Sequence, residues 1–118
     1  MQPIGVHHVS LMTPDVEATQ RFYVEVLGLT VREDRPDFGP IGGVWLNAGD
    51  QQVHLVEGAV PNRAGQHFAL QVDDLDAVVS ELRAKGYEVK DPFDSGVGRQ
   101  TTVDDPVGNM VELNQPHG

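Results

Sequence analysis

His8, His54, His67 and Glu112 are the residues of this 118-residue chain whose types and spacing suggest chemistry. Imidazole nitrogen and carboxylate oxygen suit zinc, iron(II), nickel or manganese, and a chain without cysteine offers no soft sulfur ligand. The stretch HVSLMTPD runs from His8 to Asp15, and HFALQVDD runs from His67 to Asp74. In both, the His stands seven positions before the Asp. Asp15 to Gly28 is 13 residues and Asp74 to Gly86 is 12, while Gly28 to His54 and Gly86 to Glu112 are both 26. The second half therefore repeats the first with a shift of 58 or 59 residues. A single strand histidine is ordinarily just a polar residue. Four ligand types at repeat-related positions point to a shared site.

The elements that must position these groups read alike in the two halves. A short alternating strand comes first, followed by a helix. Val16, Phe22, Tyr23, Val26 and Leu27 share one face of the first helix, and Leu75, Val78, Val79 and Leu82 share one face of the second. Asp15 and Asp74 sit where an N-cap acceptor is wanted. Gly28 and Gly86 sit where a left-handed C-cap is wanted. Three strands are expected after each helix, around GLTVRED, GVWLNAG and QQVHLVE, then around GYEVKD, QTTVDD and NMVELNQ. AGD and DPVGN are turn signals between them. Each half is thus a βαβββ module, the first over 1–57 and the second over 66–118, joined by the linker 57–66. Strand alternation then separates two faces. Val9 and Leu11, Val53 and Leu55, Phe68 and Leu70, and Val111 and Leu113 suit packing under the helices. His8, His54, His67 and Glu112 fall on the opposite faces, whereas His7 falls on the apolar phase.

Composition narrows the classes of partner. Eighteen acidic against 8 basic residues give a formal charge of −10. With no Lys/Arg cluster, neither nucleic acid nor an anionic membrane surface is expected as a partner. No apolar run reaches transmembrane length, and the N-terminus lacks a signal-peptide pattern. A cytoplasmic location is the expectation.

The stretches HHVSLMTPD, RFYVEVLGL, HFALQVDDLDA and DDPVGNMVEL, in this order, resemble the vicinal oxygen chelate superfamily. That superfamily covers glyoxalase I, fosfomycin-resistance enzymes, bleomycin-binding proteins and extradiol dioxygenases. The resemblance spans nearly the whole chain and implies a single α+β domain over 1–118, its paired βαβββ modules curling into a cup-shaped mixed sheet around a divalent metal. It implies ligands at His8, His54, His67 and Glu112. Glyoxalase I usually has a glutamate where His54 stands, whereas a two-histidine, one-glutamate set would be His8, His67 and Glu112. The substrate would chelate the metal through two adjacent oxygens, with Lewis-acid stabilisation of an enolate or alkoxide. Glu112 would move a proton as the catalytic group. Ser10, Trp45, Gln71, Arg99, Gln100 and Met110 are the residues expected to shape the substrate pocket. The resulting expectation is a metal-dependent lyase, isomerase or transferase acting on a small oxygenated substrate. A metal-free drug- or metabolite-binding protein of the bleomycin-resistance type is the alternative, and a dioxygenase a further one. A homodimer is expected, built with or without exchange of modules.

Overall fold

Asp15 and Asp74 begin the two helices by the same device. The Asp15 carboxylate accepts from the Ala18 amide and the Asp74 carboxylate from the Ala77 amide, both at 3.0 Å. Each satisfies one of the first-turn donors that a helix leaves unpaired. Gly28 and Gly86 end the helical segments with φ of 81° and 91°, a conformation that costs little without a Cβ.

The computed structural model describes residues 1–62 and 64–118. The chain forms two compact units, Met1–Asn62 and Arg63–Gly118. The expected linker 57–66 includes Arg63, which lies outside the described residues. The first unit contains β1 (His8–Thr13), α1 (Val16–Arg21), β2 (Thr30–Val31), β3 (Gly43–Ala48) and β4 (Gln51–Glu57). Its strands lie in the order β1-β4-β3-β2. The second contains β5 (His67–Gln71), α2 (Leu75–Ala84), β6 (Phe93–Asp94), β7 (Gly98–Asp104) and β8 (Met110–Pro116), in the order β5-β8-β7-β6. In both sheets the first strand pairs in parallel with the last, and the other pairings are antiparallel. The fold class is α+β: two four-stranded mixed sheets, each built from a βαβββ run. No helix among the described residues is long and apolar enough to cross a membrane.

The apolar phases meet the helices as strand alternation requires. In the first unit Leu46, Val53 and Leu55 are buried together with Phe22, Tyr23 and Leu29. In the second, Val103, Val111 and Leu113 are buried with Leu75, Val79 and Leu82. Each fully buried aliphatic or aromatic side chain contributes about 1.5–3 kcal/mol over leaving it in water.

Two elements differ from the sequence expectation. The first helix is regular only to Arg21 and then widens into a π-helical turn over Phe22–Val26. The Leu27 amide reaches the Phe22 carbonyl, five residues back, at 3.1 Å. Phe22 and Tyr23 are both buried and meet edge-to-face at 5.4 Å. The second difference lies after α2. GYEVKD, 86–91, was expected as a strand, but the second strand of this module is Phe93–Asp94. Backbone bonds to the end of α2 hold Gly86 and Tyr87, and side chains rather than a ladder hold Val89 and Lys90. Arg83 donates to the Val89 carbonyl through Nε at 3.2 Å and Nη2 at 2.6 Å, and Thr101 Oγ1 donates to the Lys90 carbonyl at 2.6 Å. A cavity of about 510 Å³ is lined by Tyr87, Val89, Lys90, Thr102, Asp104 and Met110 among others.

Candidate functional site

The two ligand candidates of the first unit come together through strand register. Ser10 of β1 pairs with His54 of β4, and His54 pairs with Trp45 of β3. The same alternation brings His8 onto that face one step diagonally from His54. The rings form a stack: Trp45 on His54 at 4.2 Å and 7°, then His54 on His8 at 3.9 Å and 14°. His54 is only 6% exposed at the centre of the stack, while His8 lies exposed on its outer side. Burial pushes the His54 imidazole below its usual range, and the positive charges of His8, His7, Arg32 and Arg35 add to the effect. His54 Nε2 is bonded to Gln52 Oε1 at 2.8 Å, and His8 Nδ1 to His7 Nδ1 at 2.9 Å.

This stack constrains ligation. A metal bonds an imidazole nitrogen in the ring plane, at about 2.0–2.1 Å for zinc. Two rings nearly parallel at 3.9 Å cannot both point a lone pair at one cation. In this conformation His8 or His54 can serve, but not both.

The second unit brings His67 and Glu112 together. His67 faces Met110, and the next pair on the same face of these strands is Ala69 with Glu112. His67 Nε2 lies 3.3 Å from Glu112 Oε1. His67 Nδ1 lies 2.8 Å from the Gly65 carbonyl oxygen, which can only accept, so Nδ1 carries the proton. In neutral His67 the Nε2 lone pair therefore faces a carboxylate oxygen. A proton or a cation between them resolves that opposition. A histidine whose far nitrogen donates to a backbone carbonyl is oriented as metal-ligating histidines are. The carboxylate is held at both oxygens: Gln100 Nε2 donates to Oε1 at 3.2 Å and Asn114 Nδ2 to Oε2 at 2.9 Å.

Among the described residues, no group of three or more His, Asp or Glu side chains is placed so as to hold a metal ion. The donor types fit a borderline divalent cation. Of the residues expected to shape a pocket, Ser10 and Trp45 share the His54 face, and Met110 precedes Glu112 by two residues on β8. Gln71 lies exposed on β5 in phase with His67. Gln100 touches Glu112 itself. Arg99 is not brought to this group. It lies one residue out of phase with Gln100 and forms a two-pronged pair with Asp76 of α2, at 3.0 and 3.1 Å. Sequence reasoning missed the roles of Asn114 and the Gly65 carbonyl. The only signal for Asn114 was its position two residues after Glu112, on the same face.

Comparisons with known proteins identify the family of the fold. The family model of the Glyoxalase/Bleomycin resistance protein/Dioxygenase superfamily matches residues 5–113. YaeR of Escherichia coli, an uncharacterised protein, is 30% identical over 125 residues, covering 92% of this chain and 93% of its own. Human mitochondrial methylmalonyl-CoA epimerase is 30% identical over 94 residues, 68% of this chain, and the match spans about half of the epimerase (53%). Among solved structures, TnmS3, an antibiotic-binding protein from Streptomyces sp. CB03234, is 31% identical with a TM-score of 0.83, covering 99% of both chains. With its repeated modules and a family match over almost its full length, the chain belongs to the Glyoxalase/Bleomycin resistance protein/Dioxygenase superfamily.

Proposed function

We propose that this protein is a divalent-metal-dependent enzyme of the glyoxalase and fosfomycin-resistance type, acting on a small oxygenated substrate. The observation that carries this reading is the His67–Glu112 pair: Nδ1 is spent on a backbone carbonyl, and Nε2 faces a carboxylate held by two amides. His8, His67 and Glu112 are the proposed ligands of a zinc, nickel, iron or manganese ion, with His54 peripheral because it is buried in the stack and its Nε2 is bonded to Gln52. The metal, when bound, supplies a Lewis acid that steadies negative charge developing on a substrate oxygen. Glu112 is the proposed proton-moving group, aimed by Gln100 and Asn114. The likeness to methylmalonyl-CoA epimerase supports isomerisation as the reaction class. A homodimer, with or without exchanged modules, completes the proposal; a monomer by light scattering at micromolar concentration contradicts it.

The second reading, a metal-free binding protein, draws on the Trp45–His54–His8 stack and on the likeness to TnmS3. Calorimetric titration of the chelator-treated protein with zinc and nickel separates the two. Under the enzyme reading His8→Ala, His67→Ala and Glu112→Gln each abolish tight binding with unchanged circular dichroism, whereas His54→Ala only weakens it. Equal binding by Glu112→Gln and the parent contradicts the assignment, and weak binding by the parent itself favours the second reading.

A further inference from the structure

The described arginines are nearly all neutralised by carboxylates. Arg21 pairs with Glu17, Arg32 with Asp34, Arg83 with Asp91 and Arg99 with Asp76. Arg35 is the exception. Its one hydrogen bond among the described residues runs from Nη2 to the Ile41 carbonyl at 3.0 Å, although a guanidinium carries five donors. In a chain of charge −10, a half-buried guanidinium that has found no acid is unusual. Its position is fixed from two sides. Cζ lies 5.0 Å over the Phe38 ring. Its Nη2 and Nε lie 3.1 and 3.3 Å from where a Cβ on Gly43 would stand. A Cβ there would also meet the Leu55 carbonyl, so the guanidinium packs against bare backbone two residues from Trp45 on β3. The Trp45 face carries the stack of Trp45, His54 and His8, and Phe38 is 48% exposed beside Trp45, its ring tilted 46° from the indole at 6.2 Å.

We propose that Arg35 is an anion-binding site that takes a carboxylate or phosphate group of a ligand lying against Phe38 and Trp45. A guanidinium whose plane is held by a ring and a carbonyl presents its remaining donors as a prepared fork for paired oxygens. The proposal requires neither a bound metal nor turnover, so it stands apart from the reading above.

Trp45 is the chain's only tryptophan, so its fluorescence reports on this face alone. Chelator-treated protein is titrated with phenyl phosphate and with benzoate, with benzamide as the neutral probe, and the series is repeated after zinc is restored. The proposal expects saturable quenching by both anions and at least tenfold weaker response to benzamide. Arg35→Met should weaken anion binding about tenfold or more, and Arg35→Lys should keep part of it. Arg21→Met, at an arginine paired with Glu17, should change nothing. Circular dichroism verifies that each variant is folded. Raised salt should weaken the anions and not the neutral probe. The proposal is overturned if the parent gives no saturable response to either anion, if benzamide binds as well as benzoate, or if Arg35→Met binds like the parent. Anion binding that appears only with zinc, and equally in Arg35→Met, would place the anion on the metal; the site at Arg35 would fall while the metal reading survived.

Discussion

Glu112 is restrained at both oxygens, and that restraint is the most consequential detail at the residue scale. Gln100 and Asn114 hold Oε1 and Oε2 from neighbouring strands, so the carboxylate cannot turn freely. Partners that orient a ligand typically affect metal affinity 10- to 100-fold. Asn114→Leu should therefore weaken zinc binding about tenfold or more in a calorimetric titration, with the melting profile of the apo protein little changed; unchanged affinity would show that the bond is incidental. Gly43 gives a second prediction. A Cβ there would collide with the Leu55 carbonyl and crowd Arg35. Gly43→Ala should lower unfolding free energy by about 1–3 kcal/mol in urea titration, the usual cost of overpacking. The ligand candidates were legible in the sequence because each repeats with its strand and phase. The amide partners of Glu112 and the seat of Arg35 were not, since both depend on cross-strand register. Arg99 was read as a pocket residue although it lies one position out of phase with Gln100; the ion pair with Asp76 is a contact between elements that spacing does not reveal.

At the scale of elements, capping residues and glycines were the most readable signals. Asp15, Asp74, Gly28 and Gly86 do what their residue types predict. QQVHLVE is β4 residue for residue. GYEVKD failed as a strand for a physical reason: its apolar phase is satisfied by burying Val89, and its carbonyls by Arg83 and Thr101. Nothing in a pattern of alternation distinguishes that from a ladder. The π-helical turn was illegible likewise, because both helix forms bury Phe22 and Tyr23. Arg83 is the pin of 86–91 and also pairs with Asp91. Arg83→Leu should cost about 1–2 kcal/mol of stability and speed proteolytic cleavage within 86–91; cleavage at the parental rate would show that the segment does not depend on this side chain.

For the whole molecule, electrostatics sets the acid limit of stability. Arg32 holds the Asp34 carboxyl below its usual value of 3.8, Arg99 does the same for Asp76, and the Gly96 amide followed by His117 does so for Asp94. The unfolded chain thus binds protons that the folded chain refuses near and below that value. The stabilisation is complete above about pH 4 to 5 and is lost as the pH falls through the lowered values. Stability should decline on acidification in that window, and Arg99→Gln should be less stable than the parent at pH 6, the gap between them narrowing as the pH falls below 3.8. A gap between the two that stays constant with pH would contradict this. The repeat made the two-module fold readable before any coordinates, because a shift of 58 or 59 residues preserves strand, cap and ligand together. The central claim is the divalent metal, and elemental analysis of protein purified without chelator or affinity tag tests it most directly. The account predicts about one transition-metal ion per chain in the parent and almost none in Glu112→Gln. A parent without metal that also fails to take up zinc or nickel would contradict it.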